Sequence, residues 1–165
     1  MSYKSILKKM FFKIFSFYPP FFGAGIRVKI SKDVKTVDVS MKLTFWNRNY
    51  VGTHFGGSLY AMCDPFFFFL LMENLGREYI VWDKGATILF KKPGKGRVHA
   101  RFFISEERYD EIRKLAESGE AINPEFKIDV LDDEDNVIAA VEKILYIKKK
   151  SPKMPSKSPV VRLKR

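Results

Sequence analysis

The 165-residue sequence has one cysteine, Cys63, and two histidines, His54 and His99. One cysteine excludes an intramolecular disulfide framework, and these three residues are too few for the usual four-ligand zinc cluster. No metal is expected, and a reducing, cytoplasmic setting fits. Long hydrophobic runs are also missing. Lys13, Pro19 and Pro20 interrupt the first candidate, and Pro65 to Met72 is shorter still, against the roughly 18 to 20 apolar residues that a bilayer span needs. Lys8, Lys9 and Lys13 break the early apolar stretch and no A-x-A-like cleavage site follows, so no export signal is read. There is no internal repeat and no glycine-rich nucleotide loop.

Acidic residues are absent from both ends. Residues 1 to 18 hold four lysines, and residues 143 to 165 hold nine Lys or Arg. These ends account for more than the whole net charge of +11. Between them, residues 19 to 142 carry seventeen basic and nineteen acidic groups, close to neutral. A basic nucleic-acid-reading face is therefore not indicated, and nucleic acid is not an expected partner. With 46% hydrophobic and 30% charged residues, the composition is globular. The length suits one domain, read as residues 1 to 148, followed by a mobile basic tail over 149 to 165.

Tyr3, Leu7, Met10, Phe11, Ile14, Phe15 and Tyr18 recur every three or four residues with lysines between them, which predicts an amphipathic helix over 3 to 18 stopped by Pro19-Pro20. It either packs on its own domain or serves as a membrane-surface or partner-binding helix. The period then changes to two. Ile26 to Ser31 and Thr36 to Leu43 read as strands, as do Thr87 to Lys92 and Val98 to Ile104, joined as a hairpin by the turn chemistry of Pro93-Gly94-Lys95-Gly96. Phe126 to Leu131 and Val137 to Ile147 form another pair. Gly57 to Leu75 is almost wholly apolar and predicts one long helix buried on all sides. Ser105 is an N-cap candidate for a second helix carrying Tyr109, Ile112 and Ala116 on one face and ending near Gly119. About six antiparallel strands and one buried helix predict an α+β domain with a curved sheet wrapped around that helix.

Chemistry concentrates between the second strand and the central helix, in Asn49 to Gly57. Two glycines opening a helix let a ligand approach bare backbone, and free N–H groups there favour negative charge. Asp64 stands seven residues on in an otherwise apolar helix, where a carboxylate is costly unless partnered or used. Seven residues at about 1.5 Å each put it roughly 10 Å from Gly57 along the axis. One reacting carbonyl cannot touch both, so a site that uses both takes the Asp from a second subunit. Cys63 is a poor nucleophile beside Asp64, and Ser58 fails the G-x-S-x-G pattern because position 60 is Tyr.

The run Asn49-x-x-Gly52-Thr53-x-x-Gly56-Gly57 followed by Asp64 resembles the hot-dog-fold acyl-CoA thioesterases of the phenylacetate-pathway type. Pro19 to Arg27, Gly56 to Pro65 and Lys91-Lys92-Pro93-Gly94 look more particularly like the DUF4442 branch of that superfamily. The resemblance implies a homodimer or homotetramer with each active site at a subunit interface. It implies that Asp64 acts as nucleophile or general base, that the Gly56 amide polarises the thioester oxygen with Gly57 beside it, and that Asn49 orders the site. Those enzymes usually place His directly before the Gly-Gly pair. This chain has Phe55 there and His54 one place earlier, so His54 is carried as a site candidate and Phe55 as a substrate-binding one.

Lys91, Lys92, Lys95 and Arg97 surround a turn where related enzymes meet the coenzyme A phosphates. The expected function is an acyl-CoA or related thioester hydrolase for an apolar acyl chain, with coenzyme A entering only as part of the substrate and no separate cofactor. The alternative is a non-catalytic acyl-CoA or lipid binder with peripheral membrane contact.

Overall fold

The computed structural model describes residues 15–150. Six antiparallel strands form one sheet: β1 (Ile26–Ile30), β2 (Thr36–Lys42), β3 (Tyr79–Phe90), β4 (Arg97–Phe103), β5 (Glu125–Asp132) and β6 (Val137–Lys149), in the spatial order β1-β2-β4-β5-β6-β3. Alternation explains which face of each strand is buried. Val37, Val39 and Met41 of β2 share the inner face with Val98, Ala100 and Phe102 of β4 and with Ala139, Val141, Leu145 and Ile147 of β6.

Helices fill the concave side. Pro19 and Pro20 occupy the first turn of α1 (Pro19–Ala24), where a missing N–H costs nothing, so the proline pair opens a helix. The helix anticipated over residues 3 to 18 lies almost wholly outside the described residues, and its last part, Phe15–Phe17, is a 3-10 turn. The central helical segment is as long as its composition suggests but is broken in two. α2 (Gly56–Ala61) and α3 (Phe66–Leu75) flank a turn at Met62 to Pro65, because proline at 65 cannot donate the hydrogen bond that would continue the helix. The burial is also less complete than expected: Phe68 and Phe69 are partly buried and Met72 is exposed. Phe66 and Phe67 pack on Phe102 with ring centroids 5.1 and 5.2 Å apart, and Phe67 stacks on Phe126 at 4.9 Å. α4 (Glu106–Leu115) begins as anticipated, with the Ser105 hydroxyl accepting from the Arg108 amide, and a 3-10 turn carries it to Gly119. The Tyr109 hydroxyl donates to the Leu70 carbonyl at 3.2 Å and fastens α4 to α3.

Strand pairing overturns one expectation. The segments before and after Pro93 to Gly96 are not a hairpin: β3 pairs only with β6 at one edge of the sheet, while β4 sits between β2 and β5. Turn chemistry shows where a chain reverses, not which strands then pair. Here the segment after β3 crosses to the middle of the sheet, and its Gly94 and Gly96 carbonyls are occupied by the His54 loop and Leu43. β3 also starts eight residues earlier than anticipated, running through Asp83-Lys84-Gly85, where Lys84 is the extra residue of a β-bulge opposite Leu145 and Ile144.

Candidate functional site

Residues 49 to 57 form a loop held by its own polar groups. The Asn49 amide group donates to the Thr53 hydroxyl at 2.9 Å and to the His54 carbonyl at 3.2 Å, and its oxygen accepts from the Thr53 amide at 3.0 Å. Asn49 therefore shapes the loop from inside. His54 is buried, its amide donates to the Gly94 carbonyl, and its Nε2 lies 3.2 Å from the Gly96 carbonyl. That carbonyl can only accept, so Nε2 carries the proton. Nδ1 is buried with no partner among the described residues. Burial pushes the imidazole below its ordinary pKa of 6.5, with the Gly96 carbonyl partly opposing. His54 is thus a neutral pin between the loop and the 93–96 segment.

Below about pH 6.5 the unfolded chain binds a proton that folded His54 resists, so stability is full above that value and declines as pH falls through it. The carboxylates of Asp33, Glu107 and Asp132, held below their ordinary values by hydrogen bonds, add their own losses only in a more acidic range. Urea unfolding from about pH 7.5 to 5.5 is expected to show this loss as a difference between wild type and His54→Gln, because the raised Asp83 carboxyl acts in the opposite direction in both proteins.

Phe55 precedes α2, and its amide donates to the buried loop through the Asn47 carbonyl. Gly56 and Gly57 then begin the helix, and as its first residues their N–H groups have no intrahelical acceptor. Two aromatic rings crowd the pair. A Cβ on Gly57 would lie 2.4 Å from the Phe55 ring, and one on Gly56 would lie 2.8 Å from the ring of Phe90 at the end of β3. Phe55 and Phe90 are both exposed, so the bare backbone of the Gly-Gly pair is walled by two rings that can move.

Asp64 is elsewhere, in the turn after α2. Its Oδ1 accepts from the Tyr60 hydroxyl at 2.8 Å and from the Lys143 ammonium at 2.8 Å. The same ammonium lies 2.8 Å from Asp83 and 3.3 Å from the Tyr60 oxygen. Lys143 is 1% exposed, whereas the Asp64 side chain is 46% exposed. Burial alone would lower the Lys143 pKa and is the largest single influence, but the two carboxylates together outweigh it and raise the value. Burial also raises Asp83, against the pull of Lys143, and raises Tyr60, with the Asp64 hydrogen bond acting in the same direction. Cys63, packed beside this cluster, is pushed up to about 12 by burial and is inert as a thiolate. Asp64 is therefore a fixed carboxylate: Oδ1 is held from behind, and no group among the described residues engages Oδ2.

Of the sequence candidates, the structure joins Asn49, His54, Phe55, Gly56 and Gly57 in one loop and helix start. It also brings the basic turn against that loop through Gly94 and Gly96. Lys92 reaches Asn136 at 2.8 Å and Arg97 reaches Asp133 at 3.4 Å across the β5–β6 turn, while Lys91 and Lys95 are exposed. Asp64 lies apart from that loop, in the turn beyond the C-terminal end of α2. Lys143, Asp83, Tyr60 and Phe90 were not foreseen.

The architecture is the hot-dog fold. Solved structures that match it include PA5026 of Pseudomonas aeruginosa, a protein of unknown function and probable thioesterase, with a TM-score of 0.76 at 15% identity over 86% of this chain and 95% of that one. The thioesterase HI1161 of Haemophilus influenzae matches at TM-score 0.58 and 13% identity, over 82% and 86% of the two chains. PaaI of the Escherichia coli phenylacetic acid degradation operon matches at 0.56 and 16%, over 91% and 96%. No curated protein matches the sequence. Within this fold class the chain belongs to the family described as domain of unknown function DUF4442, which residues 7–147 match.

Proposed function

We propose that the protein hydrolyses an acyl thioester, with acyl-CoA as the substrate class and an apolar acyl chain. The observation that carries this reading is the anchored Asp64, with one oxygen held by Lys143 and Tyr60 and the other without a partner among the described residues, in a half-exposed position in the turn between α2 and α3. A carboxylate so placed can orient or deprotonate water for attack on the thioester carbon. The Gly56 and Gly57 amides would receive the oxyanion. Because α2 spans only six residues, its dipole is small and the two N–H groups themselves are the relevant donors. Phe55 and Phe90 would flank the acyl chain. Asn49 and His54 hold the loop in shape.

The reach from Asp64 to Gly57 makes each complete site a property of a homodimer or higher assembly. Lys91, Lys92, Lys95 and Arg97, fixed beside the loop, suit the coenzyme A phosphates.

One observation favours a second reading, that of an acyl-CoA or lipid binder without turnover: the imidazole nearest the glycines is buried and committed to Gly96, and a phenyl ring stands where it would be needed. Steady-state turnover of an acyl-CoA panel separates the two. Hydrolysis of medium or long chains supports the first reading, and saturable binding with no product release supports the second. In the hydrolytic case, Lys91→Glu/Lys92→Glu/Arg97→Glu is expected to raise KM by about tenfold with a smaller change in kcat, as uniform binding is lost. Unchanged kinetics would place the phosphates elsewhere.

A further inference from the structure

Large apolar side chains are exposed at one end of the sheet. Phe17 and Phe22 stack at 6.4 Å beside α1. Phe45 and Trp46, 75% and 83% exposed, lie edge to face in the turn after β2. Tyr50 and Val51 are exposed on the loop that follows and share a shallow depression with Phe45. These groups sit on one support. The buried Asn47 amide group donates to the Ala24 carbonyl at 2.8 Å and the Lys42 carbonyl at 2.9 Å, tying α1 to the 45–47 turn. Five aromatic rings at this exposure leave on the order of 600 Å² of apolar surface, at the upper limit for a soluble monomer. Nothing in the proposed chemistry uses them.

The charge around them has one sign. No acidic residue occurs from position 1 to 32 or from 39 to 63, whereas Arg27, Lys42 and Arg48 flank the aromatic segments in the chain. The Arg48 guanidinium lies 5.8 Å from the Phe45 ring centre. Acids gather elsewhere: twelve of the nineteen fall between 106 and 135. α4, which carries four of them, meets the opposite end of β1 and β2 through the Lys35–Glu106 ion pair. The acidic β5–β6 turn does lie at the aromatic end of the sheet, but two strands beyond β2, and its Asp133 is paired with Arg97.

We infer that this end of the molecule docks on an anionic bilayer, with Phe22, Phe45, Trp46, Tyr50 and Val51 entering the interface and Arg27, Lys42 and Arg48 meeting lipid phosphates. Aromatic rings with a polar edge favour the headgroup level, and each basic group near an anionic surface adds attraction. A second copy of the chain is a poorer occupant, because an isologous contact would press this acid-free surface against itself. The four lysines in residues 1 to 18 precede the patch directly in the chain and add charge of the same sign. The inference holds whether or not thioesters are hydrolysed.

The test is flotation of the full chain with vesicles of phosphatidylcholine alone and with about 30% phosphatidylglycerol. Co-flotation with the anionic vesicles, weakened by added salt, is the expected result. A Trp82→Phe background leaves Trp46 as the only tryptophan, and its emission should shift to the blue on binding. Phe45→Ser/Trp46→Ser, at two exposed positions outside the proposed site, should lower vesicle affinity by about tenfold with an unchanged melting temperature. The inference is overturned if the wild type does not float with anionic vesicles, or if the double variant floats equally well. Binding that vanishes only on removal of residues 151 to 165 would assign it to the tail and overturn it too. So would a sedimentation mass that falls in the double variant without loss of vesicle binding, which would make the patch a subunit contact.

Discussion

Lys143→Met is expected to lower folding stability by about 2–3 kcal/mol, measured by urea unfolding at neutral pH. Removing one partner of a fully buried ion pair costs about 3–5 kcal/mol, chiefly because the remaining charge is stranded. The cost here is smaller because Asp64 and Asp83 keep 46% and 31% of their side-chain surface in contact with water. Methionine fills most of the lysine's volume, so the loss reports charge more than a cavity. Two controls identify the cause. Adding Asp83→Asn should recover part of the loss by removing a carboxylate that burial already penalises. The deficit of the single variant should also shrink as pH falls toward 5. Asp83 has a raised pKa when folded, so the folded state binds its proton more readily than the unfolded state, and stability from this group grows below the folded pKa and fades as pH rises through it. A deficit independent of pH, and unaltered by Asp83→Asn, would mean that Lys143 contributes packing only.

Lys143 also shows what the sequence could and could not disclose. In composition it belongs with the acid-free C-terminal end of the chain. In position it belongs to the alternating row Ala139, Val141, Lys143, Leu145, Ile147, all buried on the inner face of β6. The period-two pattern therefore held the signal that a lysine enters the core, and a buried lysine demands a carboxylate partner. Which carboxylate was not legible, because Asp83 lies in a stretch whose Asp-Lys-Gly composition reads as a turn. In the fold it is a bulge inside β3, and the bulge shifts the β3–β6 register between Asp83 and Gly85. Strands bounded by simple alternation, β1, β2, β5 and β6, and the capped helix α4 were legible because local pattern and tertiary burial agree there. The break in the central helix was written in Pro65 but was obscured by unbroken hydrophobicity on either side. The pairing partners of β3 and β4 depend on contacts far apart in the chain, which turn composition does not encode. The Gly-Gly pair was read as bare backbone open to a ligand, and the structure adds what that reading could not name, the two exposed rings of Phe55 and Phe90 beside it.

Co-assembly of two inactive variants is expected to restore activity if Asp64 of one subunit serves the glycines of another. Seven residues separate Asp64 from Gly57, most of α2 and the turn beyond it, a span of roughly 10 Å at helical rise, while a base must come within about 3 Å of the group it serves. The structure sharpens this geometry. Lys143 and Tyr60 hold Oδ1 in place, so Asp64 cannot swing back toward its own Gly57 without abandoning the buried ammonium. Asp64→Asn keeps the shape and the Tyr60 contact but removes the charge, and should lower kcat by about 100-fold or more. Gly56→Val would push the exposed Phe90 ring aside and set a branched side chain over the bare backbone, which should hinder a thioester oxygen from reaching the Gly56 amide and disable the oxyanion side. Each homo-oligomer would then be nearly inactive. In a randomly mixed dimer, half the molecules are hybrids, and one of the two sites in each hybrid has a wild-type Asp64 facing a wild-type Gly56. Refolding the variants together should therefore return up to about a quarter of wild-type turnover. A mixture that stays inactive while native mass spectrometry shows hybrids would place Asp64 and the glycines in separate roles, and an active monomer would do so more directly.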